Sequence, residues 1–167
     1  MLAGLSLLIQ GNCSNGKKSY FMSKQILSEK NILLNCKTES KFAAIERVGN
    51  VLVSEGYVTP KYLEGMKARE KKFTTYIGNG IAIPHGVNEY KKEIIESGIV
   101  IAQYPKGVDF GSNNTAFLVI GIAGKGQEHL DILTKIALSV QDEHNVKRLT
   151  TANDPKEIIS IIDEAMM

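Results

Sequence analysis

The run Ala116-Phe117-Leu118-Val119-Ile120-Gly121-Ile122 is apolar throughout, as a central strand covered on both faces must be. Such a strand commits the chain to layers packed on either side of a sheet. Shorter strand-like runs stand at Ile81-Ala82-Ile83 and Ile99-Val100-Ile101-Ala102. Between and around them the spacing turns helical. Phe42, Ile45, Val48 and Leu52 mark one helix face, and Gly56 closes that helix. Thr59-Pro60 opens a second helix with a capping hydroxyl and a proline at the first helical position. Its Tyr62, Leu63 and Met66 face inward, and Lys67, Arg69, Glu70, Lys71 and Lys72 are mostly left for solvent. Leu130, Leu133, Ile136, Ala137 and Val140 mark a long helix, and Val146 and Leu149 a shorter one. Asp154-Pro155 caps a last helix carrying Ile158, Ile159, Ile161 and Ile162. The expected fold is α/β: a mixed, mostly covered β-sheet flanked by helices in a single domain.

The 167 residues, 43% of them hydrophobic, can bury a core of that kind. A net charge of +2 is no basic excess, which speaks against a nucleic-acid binder. With no tryptophan and few aromatic residues, a stacking platform for single strands is also unsupported. No run reaches the roughly 18 apolar residues of a membrane span. Met1 to Ile9 is apolar but lacks a basic start and a cleavage site, so a cytoplasmic location is expected.

Residues 1–30 lack strong periodicity and read as a linker, a leader or a loosely docked extension, with the folded domain at 31–167. Gly11 to Lys17 has the glycine and lysine spacing of a phosphate-binding loop, and Leu5 to Ile9 could be its strand. Position 18 is Lys, where magnesium binding needs Ser or Thr, and no second strand ends in Asp. No nucleotide is therefore expected. Cys13 and Cys36 make neither a disulfide scaffold nor a metal motif, and Cys36 reads as a buried thiol near a strand edge. Three scattered histidines give no ligand spacing, and neither metal nor cofactor is expected.

His85 follows the strand Ile81-Ala82-Ile83 and Pro84, whose missing N–H ends the ladder and delivers the imidazole at the strand tip. Gly80 and Gly86 leave room for a partner or anion to approach. A neutral imidazole there can attack phosphorus. From spacing alone, a loop histidine with a structural hydrogen bond is an equal alternative. His129 stands just inside a helix start after the most apolar strand, a place that favours anions, though it also reads as a solvated first-turn residue. Arg69 offers a planar fork of donors for a dianion, or belongs simply to a charged helix face. His144, among Gln141, Asp142, Glu143 and Asn145, reads as a surface residue.

The run Gly78-Asn79-Gly80-Ile81-Ala82-Ile83-Pro84-His85-Gly86 strongly resembles the enzyme IIA domains of the mannitol/fructose class of the bacterial sugar phosphotransferase system. The resemblance covers roughly Asn31 to the C-terminus. It includes Glu55-Gly56-Tyr57-Val58, Ala68-Arg69-Glu70, Gln103-Tyr104-Pro105-Lys106-Gly107-Val108-Asp109-Phe110-Gly111, Leu118-Val119-Ile120-Gly121-Ile122-Ala123 and Glu128-His129-Leu130. Pro-His-Gly and Gln-Tyr-Pro-Lys-Gly are similar to the mannitol type in particular. The resemblance implies a relay in which the carrier protein HPr phosphorylates His85 on Nε2 and His85 passes the group to a cysteine of a cognate IIB domain. A IIC membrane domain then uses it in importing a sugar such as mannitol or a related polyol or hexose. Arg69 would face the phosphoryl oxygens and His129 would support the negative charge. A regulatory module signalling by phosphorylation is the rival that similar domains suggest. No helix-turn-helix appendage occurs to support it.

Overall fold

The computed structural model describes residues 26–165. Among these, β1 (Ile32–Leu33), β2 (Tyr76–Gly78), β3 (Ile81–Ala82), β4 (Gly98–Asp109) and β5 (Thr115–Ala123) join in one sheet of spatial order β1-β4-β5-β3-β2. β1 runs parallel to β4 and β3 parallel to β5, while the β4–β5 and β2–β3 pairs are antiparallel. The sheet is thus mixed, as expected. β5 lies at its centre, and every residue from Leu118 to Ala123 is buried.

Among the described residues five helices cover the sheet: α1 (Lys41–Ser54), α2 (Tyr62–Lys72), α3 (Glu128–Ser139), α4 (Glu143–Thr151) and α5 (Pro155–Ala165). The strand period of two sorts side chains between the layers. Ile99, Ile101, Leu118, Ile120 and Ile122 pack with Ile132, Ile136, Leu149, Ile158 and Ile162 of the C-terminal helices. Val100, Ala102, Tyr104 and Val119 pack with Ile45, Val48, Leu52, Tyr62 and Met66 of α1 and α2. Burying each such aliphatic side chain stabilises by about 1.5–3 kcal/mol before chain entropy is set against it. Gly121 lets α1 lie close: a Cβ there would stand 2.8 Å from Cγ2 of Val48. Ile26 and Leu27 join the core on the side of the C-terminal helices. Residues 1–25, including the loop-like Gly11–Lys17 and Cys13, lie outside the described residues.

Helix ends follow the sequence signals closely. Ser40 caps α1 by accepting the N–H of Ala43. Gly56 (φ 81°) ends it, with Gly56 N–H on the Val53 carbonyl and Tyr57 N–H on that of Leu52. Asp154 caps α5 through the N–H of Lys156. Thr59 departs from expectation: its hydroxyl bonds the Glu93 carboxylate, and α2 begins at Tyr62 after tight turns from Thr59 to Lys61. The N–H groups that a Thr59 cap would serve are taken by the turn carbonyls instead, Tyr62 N–H by that of Thr59 and Leu63 N–H by that of Pro60.

Three further expectations need correcting. Glu70 is only 4% exposed, because α2 ends in a chain reversal whose donors converge on its carboxylate. Leu130 is 63% exposed, since the inward line of α3 runs through Ile132 and Ile136. The strand around Ile99–Ala102 extends to Asp109, with an irregularity between Gln103 and Val108 where Gly107 (φ 79°) bends the chain. Cys36 is half-buried beyond β1, with burial pushing its thiol pKa up. No helix among the described residues is long and apolar enough to cross a membrane.

Candidate active site

β3 and β5 run parallel, so their C-terminal ends open on the same edge of the sheet, where sites gather in α/β folds. The tight turn that feeds β3 carries positive φ at Gly78, Asn79 and Gly80, and the Asn79 amide donates to the Val140 carbonyl at the end of α3. Past β3, the Pro84 carbonyl accepts the N–H of Ile122 at 2.9 Å, and His85 bridges to Ile122. His85 is therefore held at the strand tip by the central strand. Six residues beyond Ala123, the chain returns as the first turn of α3 and presents His129.

His85, His129 and Arg69 line one polar cleft of ≈ 260 Å³, together with Lys72, Gly86, Val87, Asn88 and Glu89. The two imidazoles meet edge to face with ring centroids 5.5 Å apart. His85 Nδ1 lies 2.8 Å from the Ile83 carbonyl. A carbonyl can only accept, so Nδ1 carries the proton and Nε2 keeps its lone pair. Burial holds the His85 pKa below 6.5, opposed by the Ile83 hydrogen bond, assisted by the positive charge of Arg69 and opposed again by the negative charge of Glu70. His129 is also held low, by burial first and then by His85 and Lys91. Both rings are thus neutral at neutral pH. His129 Nδ1 is buried without a hydrogen-bond partner among the described residues. Arg69 stands in the last turn of α2 with its guanidinium on the Phe73 carbonyl and 5.9 Å from the Phe73 ring centroid.

Two contacts that spacing did not reveal fix the histidines. Tyr62, 1% exposed, accepts the N–H of Gly86 at 2.8 Å and donates to the Ile122 carbonyl at 2.8 Å. A Cβ on Gly86 would come within 2.7 Å of the Tyr62 ring. Gly124 lies under the start of α3, where a Cβ would stand 2.4 Å from the His129 Cα. An inward-facing position on a helix conceals the first device, and a glycine among glycines conceals the second. His144 is exposed in the first turn of α4, away from the cleft lining, where its N–H meets the Asp142 cap. Among the described residues, no group of three or more His, Cys, Asp or Glu could hold a metal ion.

What this arrangement can do is present one nucleophilic nitrogen, a cationic fork and a second imidazole to an anion. The chain is 47% identical over 140 residues to the mannitol-specific phosphotransferase enzyme IIA component of Bacillus subtilis, covering 84% of this chain and 98% of that one. The corresponding component of Geobacillus stearothermophilus is also 47% identical, over 143 residues, covering 86% and 99%. Among solved structures, the crystal structure of IIA mannitol from Escherichia coli superposes with a TM-score of 0.76 at 39% identity, covering 81% of this chain and 98% of that one. The Escherichia coli complex of enzyme IIAMTL with phosphorylated enzyme IIBMTL gives a TM-score of 0.78 at 38% identity, covering 81% and 96%. The model of the family described as phosphoenolpyruvate-dependent sugar phosphotransferase system, EIIA 2, matches residues 25–165, and the chain belongs to that family of sugar-transport phosphotransferases, in its mannitol type.

Proposed function

We propose that the chain is a cytoplasmic phosphoryl carrier that takes its phosphate from phospho-HPr on Nε2 of His85. It delivers that phosphate to a cysteine of a cognate IIB domain for uptake of mannitol or a related polyol or hexose. The observation that carries this reading is the 2.8 Å bond from His85 Nδ1 to the Ile83 carbonyl, which leaves Nε2 as the free lone pair beside Arg69 and His129. In the accepting step Nε2 forms a bond to phosphorus as the donor's N–P bond breaks, and the donor imidazole takes back that electron pair. Nδ1–H stays on its carbonyl and stabilises the positive charge that develops on the ring. The guanidinium of Arg69 offers donors to the phosphoryl oxygens, and an Nε2–H on His129 offers another. In the second step a thiolate attacks the phosphorus and His85 leaves as neutral imidazole. The Escherichia coli complex supports a IIB partner by analogy.

The test is onward transfer. The phosphorylated chain, freed of its donors, is mixed with a mannitol-permease IIB domain and with a variant lacking the IIB cysteine. Phosphate moving to the intact IIB domain alone supports the carrier reading. Phosphate that stays on this chain with every active sugar IIB domain offered would refute transport and bring the regulatory reading forward.

A further inference from the structure

Glu70 follows Arg69 directly, yet its side chain is wholly buried. Its Oε1 accepts the Thr74 hydroxyl at 2.7 Å, and its Oε2 accepts both the N–H (2.8 Å) and the hydroxyl (2.6 Å) of Thr75. Lys41 Nζ lies 3.7 Å from Oε1. The Thr75 carbonyl in turn accepts the N–H of Ile83 at 3.0 Å, and the Ile83 carbonyl holds Nδ1–H of His85. Three consecutive links therefore run from the Glu70 carboxylate to the imidazole. A buried carboxylate is costly unless every lone pair is used. Here the donors come from the turn whose Thr75 carbonyl holds the Ile83 N–H.

We propose that Glu70 is a positioning residue for phosphoryl acceptance, an inference that rests on His85 being the acceptor. It fixes Thr75, and through Thr75 it keeps the Ile83 carbonyl where the His85 proton stays on Nδ1 and the lone pair on Nε2. Without a fixed acceptor the two tautomers compete, and one of them covers the nucleophilic nitrogen with a proton. Because Glu70 is the neighbour of Arg69 in sequence, the same turn ties the cation and the nucleophile to one anchor.

Two conservative variants separate position from charge. Glu70→Gln can still accept from Thr75 through Oε1 and donate to the Thr74 hydroxyl, so it keeps the Thr75 contacts and loses the charge that faces Lys41. Glu70→Asp keeps the charge but is one methylene too short to reach Thr75. Nitrogen-15 correlation spectra of the histidine ring near neutral pH report the tautomer directly. Phosphorylation by HPr reports the rate, with all three proteins at a temperature where each is folded. The expected result is Nδ1–H and the wild-type rate in Glu70→Gln, against mixed tautomers and a rate about tenfold lower in Glu70→Asp. The opposite order would overturn the inference, since it would make the charge the active property. Unchanged tautomers in both variants would overturn it too. Should the Asp variant fail to fold, loss of the Nδ1–H tautomer in a folded Glu70→Gln still contradicts it. The tautomer is read without any donor protein, so a wild type that is never phosphorylated would count against the carrier reading alone.

Discussion

Removing the Tyr62 hydroxyl, by Tyr62→Phe, tests how the nucleophile is held. The ring stays to fill its pocket, and two hydrogen bonds disappear: the one donated to the Ile122 carbonyl and the one accepted from the Gly86 N–H, each 2.8 Å. Burial pushes the phenol pKa up to about 12, so the hydroxyl is a neutral donor at every working pH. Leaving a buried partner unsatisfied costs about 1–3 kcal/mol per group. Gly86 is half-buried and water can partly replace the phenol there, so the total falls at about 2–4 kcal/mol. That is a large part of a typical folding stability of about 5–15 kcal/mol. For a chain of this length it corresponds to a melting point lower by roughly 5–15 °C. Calorimetry measures that loss, and the rate of phosphorylation by HPr should fall with it, because Gly86 no longer fixes the strand tip behind His85. A loss below about 0.5 kcal/mol, the level of an ordinary surface change, with an unchanged rate would refute the anchoring argument.

Other outcomes follow from the same geometry. Because burial holds both His85 and His129 below 6.5, the rate of acceptance should stay level through the neutral range and fall only in acid, with its midpoint under 6.5. A midpoint above 6.5 in a pH–rate profile would contradict this. The linkage has the same sign: the unfolded chain binds more protons once the pH drops below 6.5, so stability measured by denaturant should decline from there through the folded-state pKa values. Gly124→Ala puts a methyl 2.4 Å from the His129 Cα, a backbone atom that cannot swing aside. It should cost about 1–3 kcal/mol in denaturant unfolding and slow acceptance as well. Arg69→Gln removes the guanidinium from the cleft while leaving the fold intact. Acceptance should slow on the order of a hundredfold in single-turnover kinetics.

The parts of the fold written in local chemistry were legible beforehand. The unbroken apolar run around Val119 marked the buried central strand, and Gly56 and Asp154-Pro155 marked helix ends, because each signal acts within a few residues. Pro84 delivered His85 to a strand tip as its missing N–H suggested. What remained hidden depends on contacts between distant segments. Thr59 carries a capping signal, but the turns from Thr59 to Lys61 satisfy the first N–H groups with backbone carbonyls, and its hydroxyl donates to Glu93, far along the chain. Glu70 sat in a run of charged residues and looked solvated, because the hydroxyls that bury it come from the turn after the helix. Tyr62 lies in the core as its spacing predicts, but nothing near it in sequence shows that its hydroxyl spans Gly86 and Ile122. From spacing, Arg69 and His129 are separate residues, and only the family resemblance joins them to His85. That they share a cleft with His85 follows from the parallel β3–β5 pairing and the packing of α2 and α3, neither of which periodicity specifies.

The central claim is that His85 Nε2 accepts a phosphoryl group. Incubating the chain with phosphoenolpyruvate, enzyme I and HPr, beside a His85→Ala variant, and reading intact mass without acid tests it directly. Phosphorus and nitrogen NMR then locate the N–P bond. One acid-labile phosphoryl group on Nε2 of the wild type and none on the variant is the expected result. Label that persists in the variant, or that sits on His129 or on Nδ1 of His85, would contradict the account.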